Sequence, residues 1–234
     1  MLKFQQKEIF LKNFSNSLSI CPLFSKIDAA DLEKMLTCLG ARKLGYDKKE
    51  EILAEGTQPR DVAILLSGRA QTVRIDYMGN RSILSESEPG ELICVEYACT
   101  ETDALPVSVV AVEPCVVMFI DCSHILHTCH NGCGFHHRLI FNLMMGLAEG
   151  NITMHKKVEV TARRTTRERL LTYLSIMAKE QGANVFDIPF NRQELADYLE
   201  VDRSGLSVEI GKLVKEGVIF CRKERFEILK PYVL

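Results

Sequence analysis

No stretch of this 234-residue chain reaches the ~20 consecutive apolar residues needed to cross a bilayer. Its opening, MLKFQQKEIFLKNF, alternates charged and apolar groups and lacks the uninterrupted apolar core of a signal peptide. A cytoplasmic location and no membrane partner are therefore expected. No nucleophile elbow, P-loop or paired catalytic motif occurs, so an enzyme is not expected. Charge of one sign is also scarce. The net formal charge is −2, which excludes a non-specific nucleic-acid coat. The balance is mildly positive only over residues 161–234, so that part is the better candidate for meeting a polyanion.

Paired C-x2-C spacing is absent as well, although there are nine cysteines. The number is odd, and a chain of this size builds its own core without staples, so reduced thiols are expected. Hydrophobic residues make up 47% of the chain, enough for the core of one large domain or two ordinary ones.

Three regimes follow one another. Residues 1–40 read as helical, with Asp28 before Leu32, Met35, Leu36 and Leu39 at helical spacing, and Gly40 as the stop. From 41 to 120, short runs such as Glu51–Ala54, Val62–Leu66, Thr72–Ile75, Ser82–Leu84, Val107–Val112 and Cys115–Ile120 are separated by turn residues. That rhythm predicts an all-β roll or barrel, with a hairpin loop at Asp76–Arg81. Residues 135–158 predict a long amphipathic helix with Ile140, Leu143, Leu147 and Met154 on one face and Gly146 and Gly150 four apart. Such a helix suits a dimer seam; packing on its own β domain alone is the other reading. The fold class is α+β: residues 1–122 form N-terminal helices and a β-roll sensor, 123–160 a hinge and dimerisation helix, and 161–234 a winged helix-turn-helix.

The last region carries the function. Thr165-Thr166-Arg167-Glu168 offers a cap for a helix bearing Leu170, Leu171, Leu174 and Met177, ended by Gly182. A short strand follows at Val185–Pro189. Asn191 then caps a short helix that buries Leu195, Ala196 and Leu199, and Glu200-Val201 make a turn. Asp202 caps a second helix that buries Leu206, Ile210 and Leu213, and Gly217 ends it. Arg203, Ser204, Ser207 and Lys212 face outward, where a helix entering the major groove needs polar donors, and Arg192 joins them from the first helix. Arg203 can donate two hydrogen bonds to guanine. A closing hairpin, Phe220–Ile228, puts Arg222, Lys223 and Arg225 at its tip, suited to phosphates. Two short helices or one basic hairpin are each common; the ordered set is not. The runner-up is a ligand-binding signalling module whose helical domain contacts protein rather than DNA.

Over roughly residues 20–229 the chain resembles the CRP/FNR family, that of the cyclic-AMP receptor protein and the fumarate-nitrate regulator. The resemblance is carried by Cys21-Pro22-Leu23-Phe24-Ser25, Glu55-Gly56, Leu65-Leu66-Ser67-Gly68-Arg69, Pro89-Gly90-Glu91-Leu92, Arg167-Glu168-Arg169-Leu170-Leu171 and Asn191 through Ile219. It implies a cyclic-nucleotide-binding-like β-roll, a long dimer helix, and a regulator that reads an inverted repeat in double-stranded promoter DNA as a homodimer. RNA polymerase is the further partner it implies, as for an activator. By the same resemblance Gly90, Glu91, Leu92, Cys94, Leu105, Val107 and Ser108 line an effector pocket. The family's cyclic-AMP readers place an Arg-Ser pair where this chain has Leu105-Pro106, so cyclic AMP is not expected. In the second helix Ser204 and Val208 depart from the family's Glu and second Arg, while Arg203 and Ser207 resemble its pattern.

Thiols and imidazoles cluster twice. Cys94 and Cys99 follow Gly90-Glu91, and the stretch 121–137 holds Cys122, Cys129, Cys133 and five of the six histidines. These are ligand types for zinc, iron–sulfur centres and haem. Cys94, Cys99, Cys129 and Cys133 are accordingly the candidate metal or redox residues, although cysteine is as often a small buried hydrophobe. A metal or thiol signal, a small organic effector in the roll, and constitutive action all remain open readings.

Overall fold

A computed structural model describes residues 16–100, 104–126 and 135–230. The chain divides into two compact units. One holds the residues before Ile75 together with Ser85–Asn151; the other holds Ile75–Leu84 and the residues from Ile152 onward.

Eight strands form two sheets, and all of their residues except those of Ile75–Leu84 belong to the first unit. β1 (Arg42–Tyr46), β8 (Cys115–Asp121), β3 (Asp61–Ser67) and β6 (Leu92–Ile93) form one, in the order β1-β8-β3-β6. β2 (Glu51–Leu53), β7 (Ser108–Ala111), β4 (Ala70–Ile75) and β5 (Arg81–Ser87) form the other, in the order β2-β7-β4-β5. β3 is buried from Val62 to Leu66, which explains its unbroken apolar run. Its alternate residues Val62, Ile64 and Leu66, with Met118 and Ile120 of β8, pack against helical residues Leu18, Leu23, Phe24, Met35, Leu36, Leu39, Leu139 and Leu143. Ala63, Leu65, Val117 and Phe119 are buried too, on the opposite face by the two-residue period. The turn between β3 and β4 requires glycine at 68. Its φ is +86°, and a Cβ there would meet the Pro114 carbonyl at 2.4 Å.

The amino-terminal region is not one helix. A 3-10 turn at Pro22–Phe24 separates a helical segment at 16–20 from α1 (Ala29–Cys38). Pro22, which lacks an amide proton, starts that turn. Two short helices were not legible in the sequence: α2 (Val95–Ala98) and α3 (Cys122–Leu126).

The long helix α4 spans His136–Thr161. Leu139 and Leu143 are buried on the roll, and Leu147 packs against the same core. Asn142 is buried and donates from Nδ2 to the Leu23 and Ser25 carbonyls, both at 2.9 Å. Gly146 lies against Leu92, whose Cδ1 would be 2.6 Å from an added Cβ. The face expected to make a dimer seam through Leu143 and Leu147 is therefore taken by the roll.

The second unit contains α5 (Thr166–Gln181), β9 (Val185–Asp187), α6 (Arg192–Leu199), α7 (Arg203–Lys215), β10 (Ile219–Arg222) and β11 (Arg225–Ile228). Its sheet has the order β10-β11-β9. Leu170, Leu171, Leu174, Leu195, Ala196, Leu199, Leu206, Ile210, Leu213 and Phe226 are buried.

Candidate nucleic-acid interface

The two helices of the motif begin on side-chain caps. Asn191 accepts from the Gln193 and Glu194 amides, and the Glu194 carboxylate accepts the Asn191 amide in return, a full capping box. Asp202 Oδ2 accepts the Gly205 amide at 2.7 Å and starts α7. Between them Glu200 takes the left-handed conformation, φ 55°. A non-glycine residue there needs outside support, and Arg169 supplies it. Its Nη1 donates to the Leu199 and Glu200 carbonyls, both at 2.9 Å. Arg167, two residues earlier on α5, grips the far end of α7. It reaches Glu209 at 3.3 Å and holds Glu216 through two hydrogen bonds, at 3.1 and 2.5 Å. One turn of α5 thus holds the turn ahead of the second helix through Arg169 and the far end of that helix through Arg167. The Arg167 guanidinium holds the Glu216 carboxyl below the usual carboxylate range.

With its inner face fixed by Leu206, Ile210 and Leu213, α7 turns Arg203, Ser204 and Ser207 outward, all exposed. Ser207 Oγ donates back to the Arg203 carbonyl at 3.0 Å. Lys212 is exposed and pairs with Glu209 at 3.4 Å. The β10–β11 hairpin exposes Arg222, Lys223 and Arg225, with Lys223 at φ 55° in the turn; Arg225 stands 3.8 Å from Asp187. Arg192 departs from its expected place on this surface. Its guanidinium lies over the Phe226 ring at 5.9 Å, Nη2 donates to Cys221 Sγ at 3.4 Å, and Nη1 is buried. It joins α6 to the hairpin rather than facing outward.

In the roll, several of the residues expected to line an effector pocket are engaged by neighbours outside that set. The Gly90 amide donates to the Leu65 carbonyl at 2.7 Å. Glu91 Oε2 accepts the Glu88 amide at 2.9 Å, which turns the carboxylate back on its own loop. Leu92 lies against Gly146, Leu105 and Val107 are buried, and Ser108 Oγ accepts the Glu55 amide at 3.1 Å. Gln71 Nε2 of β4 donates to Glu86 of β5 at 2.8 Å, and Arg69, just ahead of β4, pairs with Glu86 at 3.0 Å.

The thiols separate in space. Cys94 is buried with its Sγ 3.8 Å from Thr72 Oγ1, and burial pushes its pKa up to about 12. Cys21, likewise buried, is also pushed up to about 12. Cys99 stands 3.4 Å from Cys122, sulfur to sulfur. Cys129 and Cys133 lie outside the described residues. Among the described residues no three His, Cys, Asp or Glu side chains converge closely enough to hold a metal ion.

Comparison with known proteins matches both halves. The family model described as a cyclic nucleotide-binding domain matches residues 43–131, and that of a Crp-like helix-turn-helix domain matches residues 168–234. The chain belongs to the CRP/FNR family of transcription regulators. The transcriptional activator protein FnrL of Cereibacter sphaeroides is 30% identical over 79 residues, 30% of this chain and 32% of that protein. The match thus spans about a third of that curated relative. Among solved structures, the c-di-GMP-responsive regulator CLP of Xanthomonas campestris aligns with TM-score 0.70 at 17% identity, over 87% of this chain and 100% of that one. A CooA mutant from Carboxydothermus hydrogenoformans aligns with TM-score 0.67 at 19% identity, over 89% of each chain. FixK2 of Bradyrhizobium japonicum gives 0.62 at 19%, over 81% of this chain and 93% of that one. At these identities the likeness is one of fold.

Within this CRP/FNR-family chain, sequence reasoning found the caps and the outward residues of α7. It missed Arg167 and Arg169 as the parts that position that helix. Their signal was present in Arg167-Glu168-Arg169, three charges opening a buried helix, but their partners lie 30 to 49 residues further along the chain. It also missed Cys122 as the partner of Cys99.

Proposed function

We propose that this chain regulates transcription by binding promoter DNA as a homodimer, with α7 of each protomer in a major groove and the β10–β11 hairpin on the flanking phosphates. The observation that carries this is the outward presentation of Arg203, Ser204 and Ser207 on a helix whose far end is held by Arg167 and whose preceding turn is held by Arg169. A rigidly seated helix with donors on its first turns is what reading base edges demands.

The homodimer rests on α4. Phe141, Met144, Met145, Ile152, Met154 and Val158 are exposed along it. Phe141, Met145, Ala148, Ile152 and His155 follow one another at spacings of four, three, four and three, the pattern of a two-helix seam. The seam is thus the face opposite Leu143 and Leu147.

The effector is not cyclic AMP on this reading. Where a charge-assisted partner for a cyclic phosphate is needed, this chain has Leu105, 1% exposed. Calorimetry with cyclic AMP and cyclic GMP should show no heat of binding at micromolar concentrations; a saturable isotherm would overturn this.

The test of DNA binding is titration of the full chain with labelled fragments of its own genome at several salt concentrations. Retardation of a subset at physiological salt, weakening steeply as salt rises, is the expected result. Binding that ignores both sequence and salt would favour the protein-contact reading.

A further inference from the structure

The Cys99 and Cys122 sulfurs lie 3.4 Å apart although the residues are 23 positions apart in the chain. Cys99 is the C-cap of α2 and Cys122 the first residue of α3. We propose that these two thiols form a reversible disulfide, a modification site that takes hydrogen peroxide or a low-molecular-weight disulfide as oxidant.

A bond of about 2.05 Å requires the sulfurs to close by roughly 1.4 Å. The backbone at Cys99 can give, because the residue lies past the end of a four-residue helix, at φ −93° and ψ 4°. The two sites are unequal. Cys99 is half-buried, whereas Cys122 is 4% exposed and belongs to the core cluster with Val95, Ala98, Ile120 and Ile125. An oxidant therefore meets Cys99 first.

Electrostatics orders them the same way. The hydrogen bond from Cys122 lowers the Cys99 pKa, against burial and Glu96, which raise it. Cys122 is raised, first by that same hydrogen bond and then by burial, with Asp121 adding to it. Cys99 is the better thiolate, and the thiolate is the nucleophile.

With peroxide the step balances as follows. The Cys99 thiolate attacks one peroxide oxygen, the O–O bond breaks, and hydroxide leaves and takes a proton to become water. The Cys99 sulfenic acid is then attacked by Cys122 sulfur. The S–O bond breaks, a second water departs with the Cys122 proton, and the S–S bond forms. The two thiols lose two electrons and two protons, and one peroxide becomes two waters. A thiol such as glutathione reverses the change by exchange.

Among the described cysteines, Cys21, Cys94 and Cys115 are poorer partners. Cys21 and Cys94 are buried with raised pKa values, and Cys115 Sγ donates to the Arg69 and Glu113 carbonyls at 3.2 and 3.1 Å.

The experiment treats reduced full-length protein with one equivalent of hydrogen peroxide, blocks remaining thiols with iodoacetamide in acid denaturant, and cleaves beside acidic residues. Trypsin does not serve, because no Lys or Arg lies between Arg81 and Arg138. Mass spectrometry should find the Cys99 peptide joined to the Cys122 peptide with the loss of two hydrogens, restored by glutathione. The Cys122 peptide carries Cys129 and Cys133 as well, so C129S and C133S must keep the link and C99S must lose it. In C122A, peroxide should leave Cys99 as a sulfenic acid trapped by a cyclic diketone. That readout is positive and needs no comparison of stabilities. A link that survives in C122A, or a wild-type Cys99 that gives only the sulfenic, sulfinic or glutathione-bound form, overturns the proposal.

Discussion

At the scale of single residues, the proposed DNA-facing surface separates specificity from attachment. Arg203 sits in the first turn of α7, and Lys223 in the hairpin turn. Arg203→Ala should lower affinity for the preferred site and relax the preference at one base pair per half-site, a discrimination of ~1–3 kcal/mol. Lys223→Ala should weaken binding to all sequences alike and make log affinity fall less steeply with log salt, by about 1 in slope. Fluorescence anisotropy on matched and single-base-changed duplexes tells these apart. Equal, sequence-independent losses would remove Arg203 as a base reader. Glu216 belongs to this scale too, because Arg167 holds its carboxyl below the ordinary range. The unfolded chain then binds the proton more readily than the folded one. The contribution is complete above the ordinary carboxylate pKa and is lost as pH falls through the lowered one. Glu216→Gln should make the second unit less stable at neutral pH and flatten its decline on acidification, without abolishing it, since the Glu168 carboxyl in the Thr165 cap is lowered as well. Denaturant midpoints between pH 7 and 3 measure it; parallel curves for parent and variant would contradict it.

At the scale of elements, α4 shows why periodicity alone misassigns a face. Both sides carry apolar residues, Leu139, Leu143 and Leu147 on one and Phe141, Met145 and Ile152 on the other. A 3.6-residue period finds the helix but cannot say which stripe meets the roll and which is left for a second copy. The two stripes should respond oppositely to substitution. Leu143→Ala should cost ~2–5 kcal/mol of stability, as for other buried leucines, and leave the folded protein dimeric. Ile152→Glu should leave the roll intact and shift sedimentation from dimer to monomer. A dimeric Ile152→Glu protein would move the seam elsewhere. The same contrast explains what else was legible. The caps Thr165, Asn191 and Asp202 are local, set within three residues of their partners, and were readable from the sequence. β1 was not, because Arg42–Tyr46 is an edge strand with four of five residues exposed, so it carries no apolar alternation. β6 is two residues long, too short for any period to register. The inward turn of Arg192 and the grips of Arg167 and Arg169 depend on residues far along the chain, which no local pattern encodes.

At the scale of the whole molecule, the proposed function depends on two copies acting on one duplex. Each protomer presents one α7, a short helix that touches few bases of a half-site on its own. A closed two-fold dimer makes the second half-site engagement intramolecular, so affinity for the full site exceeds that for a half-site by far more than twofold. That gain exists only if both helices can reach their grooves at once. The duplex offers equivalent groove faces every 10–10.5 base pairs, ~34–36 Å along its axis. Inserting about five base pairs between the halves of an operator turns one of them to the far side of the duplex. Affinity should then fall to the level of a single half-site, and inserting about ten should restore only part of it, since the dimer fixes the distance as well as the phase. The Ile152→Glu monomer should bind all three spacings equally weakly. Anisotropy titrations of parent and variant on the three duplexes give the full comparison. If the parent itself binds all three with the same affinity, the protomers read DNA independently and the two-fold arrangement is wrong, even if Arg203 proves to contact a base.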